Sequence, residues 1–236
     1  MKIQDKTILV TGANRGIGRA LVEEALKRGA KRIYAGTRAP FTHSDPRVVN
    51  ISLDVTDEEQ IRKAAASIES LDILINNAGV AYYDDLSDRS MIERHLAVNL
   101  FGIYGLTQAF MPLLIKSKGA IVNNLSILAL APFPPIASYS ISKAAAFSLT
   151  QSLRAFLASQ GVRVHAVLTG PVDTDMNRGL DIPKAPPEMA AAAIFEGVEQ
   201  GEDEIFPDPM SASIAESWRG GVAKAMERQN AAAVAG

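Results

Sequence analysis

Short apolar runs alternate with longer amphipathic stretches along most of the chain. The runs KTILVTG, KRIYAGT, VVNISLDV, LDILINNAG, GAIVNNLS and VRVHAVLTG read as strands. Helical periodicity predicts helices from about Ile17 to Arg28, from Glu58, through Leu96 to Lys116, and from Tyr139 to Gln160. A late DEIFPD adds one more edge strand. This alternation predicts an α/β fold: a doubly wound parallel sheet of about seven strands with helices on both faces, in a single domain over residues 1–236. No internal repeat is present, and the low-complexity end NAAAVAG is expected to fray. The proline-rich piece GLDIPKAPPEM follows the sixth strand, where ligands sit in an open parallel sheet, so a short lid is expected over about 175–190.

Composition narrows the partners. The 236 residues are 47% hydrophobic with a net charge of −2, and the basic residues are scattered. No basic stripe suits nucleic acid or an anionic membrane, so a small, roughly neutral molecule is the expected partner. The absence of cysteine excludes disulfides, thiolate metal sites and a cysteine nucleophile. His43, His95 and His165 are too dispersed for a local metal motif and are read as structural or surface residues. The start MKIQDKTILV has no apolar segment of signal length, and no run approaches the roughly 18 apolar residues of a membrane span, so a soluble, cytoplasmic protein is expected.

Chemistry enters at the first strand-to-helix turn, TGANRGIG, where Gly12, Gly16 and Gly18 precede a helix. Glycines there let a diphosphate approach amide N–H groups at the positive end of a helix. The spacing is G-x-x-x-G-x-G, so the generic G-x-G-x-x-G fingerprint is not literally met. At the end of the second strand, where an acid would grip the ribose of NAD, the chain reads Gly36-Thr37-Arg38. Arg38, with Arg15 in the glycine turn, suits a 2′-phosphate and points to NADP(H). Further on, Tyr139 and Lys143 stand four residues apart, on one face of a helix. A cation within roughly 4–6 Å of a phenol lowers its pKa by about 1–3 units, which makes such a pair a usable acid/base.

With TGANRGIG, NNAG at Asn76 to Gly79 and YSISK in this order, the chain resembles the short-chain dehydrogenase/reductase superfamily from Lys6 to about Met176. The resemblance implies a Rossmann-like fold, with Tyr139 as general acid/base and Lys143 holding the nicotinamide ribose while lowering the tyrosine pKa. It further implies that Ser126, thirteen residues before Tyr139, bonds the substrate carbonyl oxygen, and that Asn99 supports a water chain to the lysine. Asp54 and Val55 match the residues at the adenine ring, and Thr174 the threonine that fixes the carboxamide. Asn14, Ile17, Asn77, Ala78, Gly79, Gly170 and Val172 complete the implied cofactor contacts. Two departures stand out: Thr169-Gly170-Pro171 where Pro-Gly is usual, and Leu125 in place of the first of a serine pair.

The function implied is an NADPH-dependent carbonyl reductase, running in reverse as an alcohol dehydrogenase. Leu128, Phe133 and Met176 are candidate substrate contacts, an apolar set suited to aryl or alkyl ketones, although core burial explains the same residues equally well. Two rivals stay open: a 3-oxoacyl carrier-protein reductase, which would need a basic docking surface, and an NADP(H)-sensing regulator without turnover. The helices Leu100 to Lys116 and Tyr139 to Gln160 are apolar on more than one face, and in the proteins this chain resembles they meet between subunits. A homodimer or homotetramer is therefore expected.

Overall fold

All seven expected strands form, as β1 (Thr7–Thr11), β2 (Arg32–Thr37), β3 (Val48–Ser52), β4 (Ile73–Asn76), β5 (Ala120–Asn124), β6 (Arg163–Val167) and β7 (Glu204–Ile205). The structure, a computed structural model, describes residues 1–234; the last two residues of NAAAVAG lie outside the described residues. The strands make one parallel sheet in the order β3-β2-β1-β4-β5-β6-β7. The order reverses between β1 and β4, and in open parallel sheets ligands bind beyond the carboxyl ends of the strands at such a switch point, here Thr11 and Asn76.

Successive strand residues feed opposite layers, the period-two signature of a sheet covered on both faces. Ile8 and Val10 of β1 join Ile73 and Ile75 in one core with Leu21 and Phe195. These last two belong to α1 (Gly16–Lys27) and α6 (Pro187–Gln200). Leu9 and Leu74 face the other way, against Ile61, Leu106, Phe110 and Leu153. That second layer is built from α2 (Glu58–Ser67), α4 (Ile103–Ser117) and α5 (Ala137–Ala158).

Three features depart from the expected pattern. The helix through Leu96 is continuous from α3 (Arg89–Leu96) through a π-helical turn, Ala97–Gly102, into α4. Together, Arg89–Ser117 are long and apolar enough to cross a membrane by length and composition alone, which corrects the expectation that no run approaches that size. A core helix meets the same criterion: Leu106, Phe110 and Leu114 are buried against the sheet while Phe101 and Tyr104 face outwards. Second, residues 187–190 of the expected lid form the first turn of α6.

Third, the C-terminal region carries two helices not read from the sequence, α7 (Pro209–Arg219) and α8 (Val222–Ala231); the end of α8 and a 3₁₀ turn, Ala232–Val234, stand in the described part of NAAAVAG, where fraying was expected. Charge holds α8 down. Lys224, 2% exposed, donates to Asp203 at 3.1 Å, Glu204 at 2.9 Å and Glu227 at 3.0 Å. Arg154 of α5 donates to Glu204 at 2.8 Å and also pairs with Glu227. Buried charges persist only when so paired and hydrogen-bonded.

Candidate active site

The carboxyl ends of β1, β4, β5 and β6 are stitched by polar side chains. The Thr11 hydroxyl oxygen accepts the amides of Asn77 and Ala78, both at 3.0 Å, and the Asn77 amide group donates to Thr11 O at 2.9 Å. Asn124 donates to Asn77 Oδ1 at 2.9 Å and accepts the Thr169 hydroxyl at 2.7 Å. Asn124 and Thr169 bridge these strand ends, a role the sequence reading did not give them. The departure from Pro at position 169 was the available signal, since a threonine can donate where a proline cannot.

The glycine turn sits at the front of this ladder. A side chain at Gly18 would lie 2.1 Å from Gly12 O and 2.6 Å from Asn77 Nδ2, so only glycine lets α1 dock on β1. Gly16, at φ +53°, lies under Thr174, whose Cγ2 a Cβ would meet at 3.1 Å. The N-cap of α1, Arg15, makes no side-chain cap bond, and the first turn holds no acid. Its amides and positive dipole end are thus available to an anion, and the bare glycine surface between Gly12 and Thr174 fits a dinucleotide diphosphate. Ile17 packs against Val172 and Ala185 at the base of the lid, while Asn14 is exposed beside it.

Around the expected adenosine half the residues are spread more widely. Arg38 is exposed at the end of β2, whereas the Thr37 hydroxyl is committed inside, 2.6 Å from Ala39 O and 2.9 Å from Asn50 Oδ1. Asp54 Oδ1 accepts the amide and hydroxyl of Thr56, and Val55 is buried against Gly102. Arg15 pairs with Asp175 at 3.4 Å, both exposed, and such pairs are weak.

Tyr139 and Lys143 share the inner face of α5 and are almost fully buried, at 8% and 4% exposed. Lys143 Nζ donates to Asn124 O at 2.8 Å and lies 5.6 Å from the Tyr139 ring centroid. The π turn presents Asn99 to the same point: it accepts the Val80 amide at 3.0 Å and donates to Val80 O and the Ser142 hydroxyl, both at 2.9 Å. A Cβ on Gly79 would stand 3.3 Å from Asn99 Oδ1 and 3.8 Å from Lys143 Nζ, so the three converge. Ser126, just past β5, caps a short 3₁₀ turn by accepting the Leu128 amide at 3.1 Å.

The electrostatics differ from the sequence expectation. Burial pushes the Tyr139 phenol up to about 12, opposed only by the Ser126 hydroxyl, and burial pushes Lys143 down to about 8. Burial dominates both shifts, and the Lys143 ammonium is turned to the Asn124 carbonyl.

The surround is aromatic. His95 is fully buried, accepts the Tyr82 amide at 3.0 Å and lies edge-on between the Tyr82 and Tyr139 rings, with centroids 5.4 and 6.3 Å away. His43 bonds Glu23 on the surface of α1, and His165 is buried on β6 and pushed down to about 4 by desolvation. Tyr82, linked through the His95 ring to Tyr139, and Tyr83 form an exposed aromatic rim on the loop after β4; Phe133 and Met176 are each 49% exposed and Leu128 is half-buried. Gly170 donates to Asp208 Oδ2 at 2.6 Å, which ties the turn after β6 to the capping carboxylate of α7.

Comparison with known proteins defines the class. The sequence profile described as short chain dehydrogenase matches residues 6–184. Short-chain dehydrogenase srdE of Neurospora crassa is 39% identical over 183 residues, 72% of this chain and 62% of the relative's length. A short chain dehydrogenase from Burkholderia cenocepacia J2315, solved in complex with NADP, superposes with a TM-score of 0.89 at 38% identity over 97% of this chain and 98% of that one. NADPH-bound carbonyl reductase from chicken fatty liver follows at TM-score 0.75 and 29% identity, over 81% and 86%. The chain belongs to the short-chain dehydrogenase family. It is an oxidoreductase with a Rossmann fold.

The two buried groups give a pH signature. Between about 8 and the ordinary 10.5, Lys143 binds fewer protons in the folded than in the unfolded chain, so stability rises with pH across that window. Tyr139 keeps its proton to about 12 against an ordinary 10.0, so its effect is a loss of stability above pH 10. Urea midpoints from pH 8 to 10 should therefore rise for wild type relative to Lys143→Met; parallel curves would show that the ammonium carries no burial cost.

Proposed function

We propose that this protein is an NADPH-dependent carbonyl reductase acting on apolar ketones or aldehydes, and on the secondary alcohol in reverse. The observation that carries the reading is the buried convergence of Ser126, Tyr139, Lys143 and Asn99 beside the glycine turn. Gly12, Asn14, Gly16, Ile17 and Gly18 would hold the diphosphate. Asp54 and Val55 would flank the adenine, and Asn77 to Gly79, Gly170, Val172 and Thr174 the nicotinamide side. The reduced nicotinamide supplies the hydride.

The chain's own part is charge and proton management. The Ser126 hydroxyl donates to the carbonyl oxygen, and Tyr139 gives its proton to that oxygen as it becomes an alkoxide. Reduction needs the protonated phenol, the form that burial favours. Lys143, anchored on Asn124 O, has donors left for the ribose. Leu128, Phe133 and Met176, with Tyr82 and Tyr83, favour aryl or alkyl groups. The loop beside this rim carries Asp84, Asp85 and Asp88, not the basic surface a carrier protein would need.

The 2′-phosphate of NADPH is assigned to Arg38, with Arg15 released from its exposed pair with Asp175. Phe101, Tyr104, Ile141 and Phe156, 41 to 60% exposed on the outer faces of the π turn, α4 and α5, support a homodimer or homotetramer.

Four measurements test this reading. Purified protein should consume NADPH with members of a panel of aryl and alkyl ketones. Tyr139→Phe should lower turnover by about 10²-fold or more with NADPH affinity nearly intact, and turnover within tenfold of wild type would remove the proton-donor role. Arg38→Asp should shift preference towards NADH by about tenfold, the scale of one charge-assisted hydrogen bond; unchanged selectivity would place the phosphate elsewhere. Light scattering should give a dimer or tetramer mass that falls in Phe156→Asp, and a monomeric wild type would refute the interface.

A further inference from the structure

The start of α5 is electrostatically incomplete within its own stretch of chain. Ile136, at the N-cap, makes no side-chain cap bond, and the first turn contains no acidic residue. Yet this turn carries Tyr139, and the next carries Lys143. Free amides at a helix start need an acceptor, and a carboxylate there also complements the dipole.

The acceptor comes from far away in sequence. Asp84, half-buried in the loop after β4, accepts the Ser138 amide at 3.1 Å through Oδ2 and 3.4 Å through Oδ1. It also accepts the Ser138 hydroxyl at 2.9 Å. The Asp84 amide donates to Pro135 O at 3.1 Å, and its backbone pairs with Ile136 in an isolated parallel bridge. Ser138 has no exposed surface and immediately precedes Tyr139.

The same loop is fixed at two other points, both in the site. Asn99 holds Val80 through its amide and carbonyl, and His95 accepts the Tyr82 amide. One short segment therefore joins the π turn, the aromatic rim and the helix that carries the phenol. Within the loop, Leu86 adopts φ +65° with its amide donating to Asp84 Oδ1 at 3.2 Å, so the carboxylate also secures the loop's own fold.

We infer that Asp84 is a positioning residue for the carbonyl-reducing centre: by capping α5 through Ser138 it sets the Tyr139 hydroxyl against the substrate oxygen while holding the Tyr82–Tyr83 rim in register. The inference rests on Tyr139 being the proton donor. Reacting geometry is steep, and a displacement near 1 Å costs about 10²-fold in rate.

The test compares variants on a ketone that wild type turns over. Asp84→Ala should lower kcat by about tenfold or more, with the ketone KM and NADPH affinity within about threefold. Asp84→Asn should recover kcat to within about threefold of wild type, because asparagine caps a helix as well as aspartate. A general loss of structure would move KM, cofactor affinity and melting temperature together, and would not be rescued by asparagine. Should Asp84→Ala fail to fold, Ser138→Ala takes its place, with kcat expected to fall about threefold at unchanged KM. Wild-type kcat in the alanine variant that folds, or an asparagine variant as impaired as alanine, overturns the assignment of Asp84 alone. A wild-type protein that turns over no ketone overturns the reductase reading and this inference with it.

Discussion

Four strand ends must meet at one height for this site to exist, and a buried ladder of side-chain hydrogen bonds enforces it. Thr11, Asn77, Asn124 and Thr169 link β1, β4, β5 and β6 in order, at the carboxyl end of the sheet. Buried amides and hydroxyls are costly when unpaired, so each rung is held by the penalty of breaking it. The glycine turn packs on the Asn77 end, and Lys143 hangs from the Asn124 carbonyl. The floor of the cofactor crevice and the base of the proton-transfer centre are thereby one rigid object.

Above that floor the dominant force is desolvation. A phenol and an ammonium one helical turn apart would attract in water, but here both are dry and both shift towards their neutral forms. The interior therefore sets a resting state with the tyrosine protonated, the state from which a carbonyl can be reduced.

Much of this was legible in the sequence because strands buried on both faces write themselves as apolar runs, and even the two-residue β7 showed in DEIFPD. Helix boundaries fell within a residue or two for α1 and α5, where periodicity is strong. Helix α8 was not read because its stability lies in tertiary pairing of Lys224 with Glu204, whereas α7 carries a local signal that went unread, Asp208-Pro209 with Ser211 closing a capping box. The grouping of Asn99, Ser126, Tyr139 and Lys143 was implied by the family resemblance that the motifs carry. The roles of Asn124 and Asp84 were not, because nothing local distinguishes a bridging asparagine or a remote helix cap from an ordinary polar residue. The Tyr139–Lys143 pair was misjudged electrically for a related reason: spacing reports distance along a helix and says nothing of how dry the surroundings are.

The clamp on α8 bears on how the sheet ends. A terminal parallel strand offers unpaired amides and carbonyls to any passing chain, a route to aggregation that proteins block by shortening or covering the edge. Here β7 is only two residues long, and its Glu204 side chain is bound to Lys224 and Arg154. The last helix is thus tied by charge to the sheet's margin, through a side chain of its final strand and not through the backbone edge itself.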